Sequence, residues 1–334
     1  MKTSLLQKIR CPICHNNLSV AAITSEDNTE IRTGTLLCPS KHQYEIHGGI
    51  IDFLIQPNEV LAKEINGLNK FAKTMKENGF TENDLLMIYE EGTGAYWDAI
   101  RLNFTQAINQ VSFKPNETLL DIGANNCWAS DLFSAKGLSV TALDISGAMF
   151  QGLSSGDVFI KNNGRFFERV LSSMTDLPFI DQSFNYVFCS AVLHHNKPNQ
   201  LQQTLGEIFR ILKHDGNIII INEPVRGIID KKSSFGNEVE EYEGNENIYS
   251  FYEYQKLIKH AGFKSIHLLP PDSFYTMISG DIRRTYPRNN ILRIGFNSFA
   301  WLYNKGFQNI LKKLSYKPIE YLVGGLPLVA IVGK

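Results

Sequence analysis

Three thiols and an imidazole lie close together near the start of this 334-residue sequence. Cys11-Pro-Ile-Cys14 forms a CxxC knuckle, and Cys38-Pro-Ser-Lys-His42 offers a second pair further along the same stretch. Three thiolates and one imidazole make the closed tetrahedral set that structural Zn2+ prefers, with no position left for a reactive water. His15 and His47 are rival fourth ligands, and spacing favours His42. A ribbon of about 50 residues has too little core to fold unaided, so the metal is expected to supply folding free energy. Losing a ligand should then unfold the ribbon and leave the rest of the chain folded. A second constellation lies in LLDIGANNCWAS (119–130), where Asp121 ends an apolar run and Gly123 opens a turn before a helical pattern. A dinucleotide pyrophosphate would call for GxGxxG at such a turn. Only Gly123 is present, which disfavours a dinucleotide. Cys127 and Cys189 read as inert buried thiols.

The elements that must position these residues fall into three stretches. Residues 1–56 read as the metal ribbon, ending in an apolar strand over 48–55 that Pro57 closes. Residues 57–112 carry helical spacing (Leu85, Ile88 and Tyr89, then Trp97, Ile100 and Phe104), and Gly92 and Gly94 divide them into two helices serving as lid or linker. From 113 to 334 β-type runs recur at 118–122, 139–144, 166–171, 184–190, 217–222, 263–269 and 326–332. Helix-compatible segments at 129–136, 147–153, 199–212 and 251–260 separate most of them. This alternation predicts an α/β fold: a Rossmann-like, doubly wound, mostly parallel sheet of seven strands that binds ligands at the strands' carboxyl ends. Residues 270–325 are too long for an ordinary connection and read as a helical insertion that caps the substrate.

Asp121, Ile122 and Gly123 match the opening of the first motif, acidic-x-G-x-G-x-G, of the class I S-adenosylmethionine-dependent methyltransferases, which the chain resembles. Asn125 and Cys127 stand where the second and third glycines usually lie. Asn tolerates a left-handed backbone, whereas Cys127 is expected to narrow the approach to the cofactor. Residues 172–195, 207–224 and Ala261-Gly262-Phe263 resemble later parts of the same family, so the likeness runs from about 115 to about 270. It implies that Asp121, Gly123, Ala124 and Asn125 cradle S-adenosylmethionine, and that Asp144, with Ile145 beside it, holds both ribose hydroxyls. It also implies that Ser173 and Met174 meet the adenine and that Ser190 lines the methionine end. A Cys3His ribbon ahead of this fold is similar in layout to the ribosomal RNA large-subunit guanine-N1 methyltransferases, whose ribbon helps to bind RNA.

The cofactor's methyl carbon is already electrophilic, so the protein mainly aligns a nucleophile and, where needed, removes a proton. His195, His194 and Glu223 are the candidate bases: the histidines follow the fourth strand and Glu223 ends the fifth. The bland alternatives are packing for one histidine, solvation for the other, and capping or an ion pair for Glu223. Tyr89, Tyr96 and Trp97 suit a lid, but aromatics at helical spacing more often form core.

Composition, 43% apolar and 20% charged, excludes a disordered or low-complexity chain. The net charge of −1 hides a split: the segment 281–334 holds nine Lys/Arg against two Asp/Glu, leaving the segment 1–280 at −8. Basic and aromatic residues in 281–317 can form a membrane-surface segment, a cap presenting arginines to an anionic substrate, or an ordinary helical subdomain. The ribbon has five basic and five acidic residues, which counts against RNA. The expectation is a cytoplasmic enzyme that methylates O or N of a small or lipid-linked metabolite. The rivals are an RNA methyltransferase and a catalytically silent cofactor-fold protein. No signal peptide, spanning segment or oligomeric state is legible.

Overall fold

A computed structural model of the chain describes residues 1–90, 93–226, 247–269 and 327–334, with 294, 295 and 298. The acidic stretch at 238–246 and nearly all of the 270–325 insertion lie outside the described residues.

Four strands, β1 (Ser19–Glu26), β2 (Ile31–Leu37), β3 (Gln43–His47) and β4 (Ile50–Asp52), form an antiparallel meander. Beyond it lie β5 (Thr118–Ile122), β6 (Ser139–Asp144), β7 (Glu168–Leu171), β8 (Phe184–Ser190), β9 (Leu212–Pro224), β10 (Ser265–Leu268) and β11 (Pro327–Gly333). All join one eleven-stranded sheet in the order β1-β2-β3-β4-β7-β6-β5-β8-β9-β11-β10. Seven strands were expected between 113 and 334; β5 to β11 lie there, within a longer, mixed sheet that also takes in the four ribbon strands. The ribbon does not stand apart: β4 pairs in parallel with β7, Ile51 opposite Val170, and β11 runs antiparallel to β9 and β10.

Every residue of β5 is buried, as a strand covered on both faces requires. Its alternating side chains enter two cores. Leu120 and Ile122 join one with Leu36, Tyr44 and Ile46 of the ribbon, and Leu119 joins the other with Phe104, Phe133 and Phe188. One core thus spans ribbon and central sheet. A charge cluster reinforces the join. Arg169 on β7, fully buried, reaches Glu30 Oε1 at 2.8 Å and Asp157 Oδ1 at 2.7 Å, while Arg32 reaches the same two carboxylates from the surface.

Among the described residues of 57–112, three α-helices form where two were expected: α1 (Glu59–Glu77), α2 (Glu82–Met87) and α3 (Ala95–Ile108). Asn58 caps α1, Gly79 at φ +84° turns the chain after it, and a Thr81/Asp84 capping box starts α2. Then come α4 (Trp128–Ala135), α5 (Gly156–Asn163), α6 (Pro198–Ile211) and α7 (Phe251–His260). The helix expected over 147–153 does not form. Ser146 Oγ accepts from the Ala148 amide, Ser154 Oγ donates to the Gly147 carbonyl, Ser155 Oγ accepts from the Phe150 amide, and Phe150 is left-handed. Side-chain bonds of this kind satisfy the backbone in place of a helical ladder. No described helix is long and apolar enough to cross a membrane.

Candidate active site

The chain reverses its direction of winding between β5 and β8, and at their carboxyl ends lies a cavity of about 770 Å³. The turn after β5 builds its floor. Gly123 (φ +69°), Asn125 (φ +45°) and Cys127 (φ +67°) are all left-handed, so the turn keeps a glycine-like path with one glycine of three. Gly123 is irreplaceable on space alone, since a Cβ there would lie 2.4 Å from Val192 Cγ2. Cys127 does not narrow the cavity, contrary to expectation. Its side chain is fully buried in the core beneath the turn and is not among the lining residues.

Asp144, at the end of β6, is gripped by the amides of Asn125 (2.8 Å to Oδ2) and Ser146 (2.8 Å to Oδ1). Burial pushes its pKa up to about 6 against the pull of these amides. Asp121, bonded by the Ser130 hydroxyl at 2.6 Å, is pushed up to about 7 by burial. The carboxyamide of Asn125 donates to Gln151 Oε1 at 3.1 Å, while its own Oδ1 is buried with no hydrogen-bond partner among the described residues. Asp121, Gly123, Ala124, Asn125, Asp144 and Ile145 line the cavity. So do Ser173, Met174 and Ser190.

The three candidate bases separate. His195 lines the cavity, and its Nδ1 lies 2.9 Å from Glu64 Oε1 on α1. His194 and Glu223 do not line it, which corrects the expectation that either serves as a base there. Glu223 is fully buried and saturated: it accepts from the amides of Val192 (2.6 Å), Leu193 (2.7 Å) and His194 (3.2 Å), from His194 Nδ1 (2.9 Å) and from the Tyr254 hydroxyl (3.3 Å). Burial acts to raise its pKa, but the His194 bond and charge and the two amides outweigh it, so the carboxyl sits below its ordinary value. Glu223 therefore fixes the 191–196 loop that carries His195, and His194 is its buried partner. Among the aromatics, Tyr96 and Trp97 line the cavity, whereas Tyr89 stacks on Trp128 at 4.9 Å as core.

Glu64 escaped the sequence reading. Nothing in an amphipathic helix distinguishes it from the other acids of α1, and its partner His195 enters the chain only after β8.

At the other end of the sheet, the ligand atoms of Cys11, Cys14, Cys38 and His42 lie within 4.8 Å of one another. Cys14 Sγ is 3.6 Å from Cys38 Sγ, and His42 Nδ1 is 3.3 Å from both Cys11 and Cys38. His15 and His47 are not in this group. The two knuckle turns are closed by the Cys14 amide on Cys11 Sγ and the His42 amide on Cys38 Sγ, and the Tyr44 hydroxyl lies 2.9 Å from Cys11 Sγ.

Strand order, glycine turn and cavity define a Rossmann-like fold. Residues 120–220 match the family model described as a methyltransferase domain. Among curated proteins it is similar to a tRNA U34 carboxymethyltransferase of Nautilia profundicola, 26% identical over 172 residues, 51% of this chain and 53% of that protein. It is also similar to a demethylmenaquinone methyltransferase of Renibacterium salmoninarum, 29% identical over 113 residues, 34% of this chain and 44% of that one. The chain thus spans about half the length of these relatives. A solved phosphoethanolamine N-methyltransferase 2 of Haemonchus contortus with S-adenosylmethionine aligns with TM-score 0.49 and 18% identity, covering 79% of this chain and 59% of that one.

Proposed function

We propose that the chain binds S-adenosylmethionine in the β5–β8 cavity and methylates O or N of a small or lipid-linked metabolite. The observation that carries this reading is the convergence of the nine expected cofactor residues on one cavity. Asp144 keeps a second lone pair on each carboxylate oxygen beyond the amides of Asn125 and Ser146, which suits a pair of ribose hydroxyls. The partnerless Asn125 Oδ1 offers a further acceptor. Ser173 and Met174 would face the adenine, and Ser190 the methionine end. The bound cofactor supplies an electrophilic methyl group. His195, whose Nδ1 lies 2.9 Å from Glu64 Oε1, would take the acceptor's proton at its other ring nitrogen, Nε2, and the apolar helices above would exclude water.

The Cys11, Cys14, Cys38 and His42 set fits Zn2+. A tetrahedral ion with bonds near 2.3 Å separates sulfurs by about 3.8 Å, close to the spacing here, and the Tyr44 hydroxyl would support the Cys11 thiolate. We assign it a structural role in a ribbon over 1–56, followed by a helical segment over 57–112 and the catalytic domain over 113–334. Reduced thiolates fit a cytoplasmic setting.

Calorimetry with S-adenosylhomocysteine tests the reading. The intact chain should bind, and Asp144→Ala should weaken binding by about 1–3 kcal/mol, the scale of losing bonds to a charged acceptor. No heat and no thermal shift at millimolar ligand would leave the catalytically silent alternative. Methyl transfer to ribosomal RNA with steeply salt-dependent binding would favour the RNA enzyme.

A further inference from the structure

The turn after β5 carries a polar side chain at 125, where a glycine turn would carry none. The Asn125 backbone amide donates to Asp144 Oδ2 at 2.8 Å, and its side-chain Nδ2 donates to Gln151 Oε1 at 3.1 Å. Gln151 in turn donates through Nε2 to Met75 Sδ of α1 at 3.1 Å. A thioether sulfur can only accept, so Gln151 faces Met75 with its nitrogen and Asn125 with its oxygen. That holds the Asn125 carboxyamide in one orientation, its nitrogen toward Gln151 and its oxygen away. Oδ1 is buried and has no hydrogen-bond partner among the described residues, although Asn125, Gln151 and Met75 all line the cavity. A buried acceptor left open in this way calls for a donor on the molecule that fills the cavity.

Building on the methyltransferase reading, we propose that Asn125 Oδ1 accepts from the ammonium group of the cofactor's methionine part, and that Gln151 is the positioning residue that aims it. The cofactor's donors can be counted. Its two ribose hydroxyls have one proton each, which Asp144 takes in the assignment above, and its adenine amine faces Ser173 and Met174. The ammonium remains, with three N–H groups and no acceptor in that assignment. It is also the molecule's one charged donor, and a charge-assisted bond is stronger than a neutral one. Backbone conformation alone favours glycine at 125, since φ is +45° and glycine takes that conformation without a Cβ. The side chain is therefore retained against the preference of the turn, for the acceptor it carries.

Calorimetry of the intact chain with two ligands tests the assignment: S-adenosylhomocysteine, and 5′-methylthioadenosine, which has the base and ribose but no amino-acid part. Asn125→Gly should weaken S-adenosylhomocysteine about ten-fold or more and leave 5′-methylthioadenosine within about two-fold, the scale of one bond from a charged donor. Gln151→Leu should give the same selective loss, about three-fold or more, and no further loss in an Asn125→Gly background, because the two residues act on one contact. Gln151→Glu still accepts from the Asn125 amide and should keep the preference for S-adenosylhomocysteine. Unchanged or tighter S-adenosylhomocysteine binding by Asn125→Gly, an equal loss for both ligands, or additive losses in the double variant would overturn the assignment and leave the methyltransferase reading intact. Absence of S-adenosylhomocysteine binding by the unaltered chain would sink both.

Discussion

Asp121 and Asp144 lie at the carboxyl ends of adjacent strands, Asp121 one residue before the end of β5, and are buried, with no ion pair to either among the described residues. For Asp121 the consequence is a stability that depends on pH. Its ordinary pKa of 3.8 is pushed up to about 7 by burial. The folded chain keeps this proton between about pH 4 and 7 while the unfolded chain has released it, so Asp121 costs stability as pH rises through that window. Asp121→Asn should therefore raise stability at pH 8 by on the order of 1–4 kcal/mol and change little at pH 4, as read from urea midpoints at the two pH values. His195 and Glu64 make a different prediction. His195→Asn should lower kcat by about 10²-fold or more with unchanged S-adenosylhomocysteine affinity. Adding Glu64→Gln should cost little further, because residues acting as a unit are not additive; steady-state kinetics of the three variants would reveal independent effects. Candidate residues next to a motif were legible in the sequence, since Gly123, Asp144 and Ser190 sit at strand ends that apolar runs mark out. The split between His194 and His195 was not, because it depends on which ring Glu223 captures from a different strand.

At the scale of elements, β5, β6 and β8 were readable to the residue, because a strand buried on both faces is a continuous apolar run bounded by polar turns. β9 proved longer than its apolar part. Lys213, His214 and Asp215 belong to it through the pairing of Leu212 with Phe184, a tertiary contact that no local pattern encodes. The junction of β4 with β7 was equally hidden, and it concentrates energy in one side chain. Arg169→Ala should destabilise the chain by about 1–3 kcal/mol: Glu30 and Asp157 lose a fully buried charged donor, while Arg32 still reaches both and the N-terminal ammonium still reaches Glu30. Arg32→Ala, at a partly exposed position on the same carboxylates, should cost clearly less. Equal losses in denaturant unfolding would mean that burial does not decide the contribution.

For the molecule as a whole, the shared core predicts that ribbon and central sheet unfold together. If the Cys3His set holds a metal, a strong chelator should lower the melting temperature reported by tryptophan fluorescence, although the ribbon itself contains no Trp. Trp97 and Trp128 pack beside the cavity and its supporting core, so their signal reports on the distant half. An unchanged tryptophan transition alongside loss of metal would restore the picture of an independent ribbon.

The β4–β7 pairing also sets a timetable for synthesis. Ile51 is translated about 120 residues before its partner Val170, an interval of roughly 6–24 s at about 5–20 residues per second. For that time the nascent ribbon has all four metal ligands but an open strand edge, the kind of surface that recruits foreign strands. The growing chain is thus most exposed to misassociation after Asp52 has completed β4 and before Leu171 arrives to cover it.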